Sequence, residues 1–155
     1  MGKFGKIMAA AASLAMMGTA VAPAQAASTY ASAENLRKLD IMLMVTALRC
    51  RHGADNFQRD YEKFAVKHGV ALQGAAHTLQ ASYQGKYGKK GAKRQLDTIS
   101  VSMANKYGQG HPWLECAQLK EVTQDLAGHR DSSGLGSAAE QLLATSRPAQ
   151  FAMVR

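Results

Sequence analysis

Apolar residues recur at intervals of three and four along most of this chain, the period of a helix with one face turned to a core, and alternation of period two is nearly absent. From about Ser32 to Arg51, Leu36, Leu39, Leu43, Ala47 and Cys50 form one stripe, while Ile41, Met44, Val45 and Leu48 form a second. A helix apolar on two faces belongs at the centre of its domain. Ser32 is a suitable N-cap with Glu34 in the first turn, and a stop is expected near Gly53, before a cap at Asp55. Phe57, Tyr61, Phe64 and His68 define a second helix over 56–68, with Gly69 as its stop. Leu72, Ala76, Leu79 and Tyr83 define a third over 70–83, and Leu96, Ile99, Met103 and Tyr107 a fourth over 92–107.

The glycines of Gly108-Gln109-Gly110-His111-Pro112-Trp113 end that helix, and Pro112 is placed to open the next, whose face carries Cys116, Leu119, Val122 and Leu126. Residues 128–136 read as a polar loop, and Ser137 with Glu140 as a capping box before Leu142 and Leu143. The expectation is an all-α fold, five or six short helices in one orthogonal or bundle-like domain.

The N-terminus carries a different signal. Lys3 and Lys6 precede an uncharged Ala/Met-rich run from Ile7 to Val21, and Ala24-Gln25-Ala26 follows the helix breaker Pro23. This order matches a secretory signal peptide cleaved after Ala26. The run is shorter and less apolar than the ~20 residues of a spanning helix. The expected organisation is a leader at 1–26, a helical domain at 27–145 and a loose tail at 146–155, with a periplasmic or secreted product that does not span the membrane. Loss of Lys3 and Lys6 takes the formal charge of the 155-residue chain from +8 to +6, a balance that favours anionic partners.

Export changes the reading of the cysteines. Cys50 and Cys116 are the only two, and in an oxidising compartment such a pair is expected to be bonded. Neither a Cys-x-x-Cys redox pair nor a haem-attachment motif is present.

Two stretches, 43–51 (LMVTALRCR) and 102–116 (SMANKYGQGHPWLEC), resemble a group of small exported two-cysteine helical proteins of alphaproteobacteria whose function is unknown. The resemblance runs from about Leu36 to Leu143. It implies the helical, disulfide-stapled architecture and carries no mechanism. A dinucleotide-dependent enzyme is excluded by length and by the lack of a G-x-G-x-x-G turn.

Candidate chemistry is sparse. Lys86, Lys89, Lys90, Lys93 and Arg94 place five cations within nine residues of a Gly-rich connection, with Tyr83 and Tyr87 beside them. Such a loop suits phosphates or other polyanions, because bound cations release counterions and glycines let the chain follow the polymer. It equally suits a solvated linker. Export disfavours nucleic acid and points to an acidic protein or an anionic envelope polymer. His52, His68, His77, His111 and His129 show no metal-ligand spacing, and His68 lies on an apolar face as a packing ring would. Met42 and Met44 fit a core better than a haem. Ser100 and Ser102 lack a nucleophile elbow, Asp60 and Glu62 share no helix face, and Glu34 has no second carboxylate to form a sugar-cleaving pair. No catalytic residue, metal or cofactor is therefore assigned. His111 and Trp113, in the Gly-rich turn, are the other candidate contact residues. The function expected is a non-enzymatic interaction protein, of inhibitor, immunity or chaperone-like type; the alternative is a small envelope enzyme acting on an anionic substrate with His111 as general base.

Overall fold

The computed structural model describes residues 22–146; the expected leader up to Val21 and the tail from Arg147 lie outside the described residues. Five helices and no strand occur among them: α1 (Ala22–Cys50), α2 (Gln58–Lys67), α3 (Gly69–Tyr107), α4 (Cys116–Gly128) and α5 (Leu135–Leu142). The all-α expectation holds.

α1 is the element on which the others pack, but only its first apolar stripe is covered. Of the second, Ile41 is buried while Met44 and Leu48 are exposed, so the expectation of a helix buried on two faces is not met. Leu39, Met42, Leu43, Ala47 and Cys50 are buried along one face, Ile41 is buried beside them, and α2, α3, α4 and α5 each pack on the helix. Thr46 is buried among them because its hydroxyl donates to the Met42 carbonyl at 2.8 Å, which leaves no polar group unpaired. The main core adds Phe57 and Phe64 from the α2 segment, Met103 and Tyr107 from α3, and Leu119, Leu126, Leu135 and Leu142 from α4 and α5.

α3 does not run straight. Gly88 has φ 67° and ψ 174°, outside any helical region and open to glycine alone. Leu79 and Leu96 belong to one cluster with Ala33, Leu36 and Ala75, although a straight helix would hold them about 26 Å apart. The chain therefore folds back at Gly88, and residues 69–87 and 89–107 form two arms lying against α1. Gly91 is needed for space: a Cβ there would stand 2.5 Å from the Cβ of Tyr87.

The Cys50–Cys116 disulfide is formed, with Cα atoms 5.9 Å apart, and joins the last residue of α1 to the first of α4.

Several boundaries differ from the sequence expectation, each for a local reason. The chain is already helical at Ala22, so Ser32 is interior to α1 rather than a cap, and Pro23 lies within the helix rather than breaking it. Glu34 pairs with Lys38 one turn on. Asn56, not Asp55, organises the entry to α2: its side chain donates to the Arg51 carbonyl at 2.8 Å and accepts the Gln58 N–H at 3.0 Å. Gly69 opens α3 instead of stopping the chain, since His68 alone interrupts the helices. Pro112 does not start α4; Glu115 caps it in a reciprocal box with Gln118. The box expected at Ser137 and Glu140 does not form, because α5 has already begun at Leu135.

Candidate functional site

The basic segment is not a loop. Lys86 closes the first arm of α3, and Lys89, Lys90, Lys93 and Arg94 open the second, so all five cations surround the fold-back at Gly88. Every residue from Gly85 to Lys90 is exposed, as are Lys93 and Arg94. Below this tip, half-buried Tyr83 and Leu96 pack the two arms against Ala33, Ala75 and Leu79, and Ala92 is buried. The Lys86 ammonium lies 5.1 Å from the centre of the Tyr87 ring, and the Tyr83 and Tyr87 rings are 6.2 Å apart. None of the five cations is in an ion pair among the described residues. No Asp or Glu occurs anywhere from Lys63 to Leu96, so no carboxylate of the tip itself offsets the charge.

The turn from Gly108 to Glu115 has a different construction. Gly110, at φ 126°, lets the chain pass the Arg49 guanidinium and leads into His111. The His111 ring stacks on Tyr107 at 5.4 Å and meets the edge of Trp113 at 4.8 Å. Its Nε2 is 2.8 Å from the Leu142 carbonyl, which can only accept, so Nε2 carries the proton. Nδ1 faces the Trp113 backbone N–H at 3.5 Å. The Trp113 indole N–H donates to the Ala144 carbonyl at 3.0 Å. Both side chains thus satisfy carbonyls at the C-terminal end of α5, which a helix leaves without internal partners. Burial pushes the His111 imidazole below its ordinary value of 6.5, the Leu142 hydrogen bond opposes this, and nearby Lys106 adds to the lowering.

His68 plays a parallel role at the other side of the core. It is buried, with Nε2 2.9 Å from the Leu126 carbonyl and Nδ1 2.9 Å from the Ser132 hydroxyl, so it ties α2 to the end of α4 and the following loop. The packing role expected for it is the one it has.

One polar cluster had little signal in the sequence. The Tyr61 hydroxyl donates to Asp40 at 3.0 Å, and Arg37 approaches the other carboxylate oxygen at 3.4 Å. Burial holds the Asp40 carboxyl above its usual range, with the Tyr61 bond and Arg37 opposing; burial and the Asp40 charge raise the Tyr61 phenol. The only hint was a lone carboxylate, Asp40, between the stripes at Leu39 and Ile41. The cluster joins α1 to α2.

No family model matches the chain, and no characterised protein or solved structure matches it significantly. Function therefore rests on the geometry. The structure brings Lys86, Lys89, Lys90, Lys93 and Arg94 together at the fold-back in the middle of α3, and His111 and Trp113 together at the α5 terminus. It stations the first group toward solvent and commits the second to the fold. Among the described residues no three of His, Cys, Asp and Glu gather as a metal site would, and no helix is long and apolar enough to cross a membrane.

Proposed function

We propose that this chain is an exported, non-enzymatic interaction protein of the bacterial envelope, akin to the alphaproteobacterial group it resembles, and that it meets an anionic partner through the basic fold-back of α3. The observation that carries this reading is the set of five exposed cations around Gly88, none in an ion pair among the described residues, on a stretch without Asp or Glu from Lys63 to Leu96. Like charges held this close raise the local potential and favour any anion that can displace their counterions. An inhibitor, an immunity-type protein or a chaperone-like factor would each use such a surface. The leader at 1–26 supplies the export, and the cysteine pair suits the oxidising compartment to which export leads.

A catalytic role for His111 draws less support. A general base needs a free acceptor nitrogen within reach of substrate. Here Nε2 holds its proton toward Leu142 and Nδ1 faces a backbone N–H.

Affinity capture from the native envelope fraction, comparing wild type with Lys89→Glu/Lys90→Glu, tests the proposal. A partner retained by the wild type at low salt, released at high salt and missed by the variant is the expected result. The same partner held by both proteins through high salt would contradict it.

A further inference from the structure

The shape and chemistry of the tip select among anionic partners. We infer that the fold-back of α3 is a docking surface for an anionic phospholipid bilayer, with Tyr87 at the headgroup level and the surrounding cations on lipid phosphates. This deepens the reading of the tip as an anion-contacting surface and rests on it.

Four observations lead there. The tip is convex: Gly85 to Lys90 are all exposed at the apex of two helical arms, and a convex apex suits a surface rather than a small ligand, which needs a concave site. Its cations come from both arms, Lys86 from the first and Lys89, Lys90, Lys93 and Arg94 from the second, and all are exposed, so an end-on approach meets positive charge from each arm. Four of the five are lysines, flexible point charges without the fixed fork by which arginine pairs with individual carboxylates in a protein interface. Diffuse attraction to a field of headgroups asks for nothing more directional. Finally, Tyr87 is 46% exposed at the apex, a large share for an aromatic ring, and is flanked by the Lys86 ammonium. A ring with an apolar body and a polar tip prefers the membrane interface, and the lysine stems can lie along it while their heads reach phosphate.

The arms themselves need not change. Tyr83 packs the first arm against the cluster of Ala33, Ala75 and Leu79, and Leu96 does the same for the second, so the helical backbone of the tip is formed before it meets the bilayer. Each cation near the surface contributes about a fivefold gain in partitioning, and the total falls with salt.

The test is sedimentation of the full chain with vesicles of pure phosphatidylcholine and with vesicles containing a one-third share of phosphatidylglycerol. Wild type is compared with Lys89→Glu/Lys90→Glu and Tyr87→Ser, all checked for helicity. Every variant carries the same residues 1–26, so differences among them report the tip. Binding that rises with phosphatidylglycerol, drops about 25-fold or more in the charge-reversed protein and several-fold in Tyr87→Ser is expected. The indole introduced by Tyr87→Trp should be quenched by lipid spin-labelled near the headgroup, beyond any quenching of Trp113 in the parent chain. Equal binding by all variants, or an indole signal at the apex indifferent to the quencher, overturns the inference. A parallel arm measures retention on immobilised polyglutamate. Tip-dependent retention there without vesicle binding overturns the membrane assignment while leaving the anion-contacting reading intact; failure in both arms removes both.

Discussion

Gly88 and Gly91 lie three residues apart in α3, and the fold needs each for a different reason. The backbone at Gly88 occupies a region that costs a residue with a Cβ about 1–3 kcal/mol, so Gly88→Ala should lower stability by that amount in a denaturant melt. Gly91 has no such requirement, but a methyl there meets the Tyr87 Cβ, and Gly91→Ala should destabilise by opening the fold-back. Gly85 is the contrast: nothing lies within 4 Å of its would-be Cβ, and Gly85→Ala should stabilise the first arm by about 0.5–1 kcal/mol. A melt in which all three substitutions behave alike would refute the fold-back geometry. Tyr107 offers a separate check. Its hydroxyl is buried with no hydrogen-bond partner among the described residues, and burial, partly offset by Lys38, raises the phenol. Removing an unsatisfied hydroxyl relieves a desolvation cost, so Tyr107→Phe should be neutral or stabilising by up to about 1 kcal/mol.

The elements are held together less by caps than by side chains reaching across their ends. His111 is the clearest case, and its protonation is coupled to stability. Its folded value lies below the 6.5 of the free imidazole, so the stability tied to the neutral ring is complete above that value and is lost as pH falls from there through the depressed folded value. Denaturation midpoints at pH 7.5 and 5.5 should therefore differ more in wild type than in His111→Gln; an equal drop in both would show that the ring is not the group responsible. Asp40, raised rather than lowered, has the opposite dependence, and comparison with the variant cancels its contribution. These cross-element ties explain what the sequence could and could not show. Helix identity was legible because Leu39, Leu43, Phe64 and Leu119 follow the helical period, but the second stripe of α1 misled, since Met44 and Leu48 on it face solvent. Helix ends were less so. Pro112 looked like a helix start, but Trp113 must first reach Ala144, and only then can Glu115 cap α4. Gly88, set between Gly85 and Gly91, gave no sign that it alone would reverse the chain while its neighbours stayed helical.

At the scale of the whole molecule, the disulfide and the basic tip lie in different parts of the structure and serve different ends. Cys50–Cys116 spans 66 residues, and the closed segment contains α2 and all of α3. Cross-linking a segment of that length restricts the unfolded chain by roughly 4 kcal/mol. Cys50→Ser/Cys116→Ser should lose stability of that order, with helicity retained at low temperature; an unchanged melting temperature would mean that the bond constrains little. The same loss should leave the tip's affinity for anions unaltered once the chain is folded, because the arms that carry Lys86 to Arg94 are packed through Tyr83 and Leu96 rather than through the cysteines. The pairing of Cys50 with Cys116 was legible from the cysteine count and the signal-peptide pattern. The gathering of five cations on one apex was only half legible: their spacing showed a cluster, while its convex, helix-borne form required the fold-back.

The measurement that bears most directly on the tip as the contact surface is the salt dependence of binding to a soluble polyanion such as polyphosphate, for wild type, Lys89→Gln/Lys90→Gln and His111→Gln. Counterion release makes the slope of log affinity against log salt fall by about one for each contacting cation removed. Wild type should show a steep slope, the double tip variant one shallower by about two, and His111→Gln the wild-type slope at reduced stability. An unchanged slope in the tip variant, or loss of binding in a folded His111→Gln, would contradict this assignment and return the Gly108–Glu115 turn to consideration as the working surface.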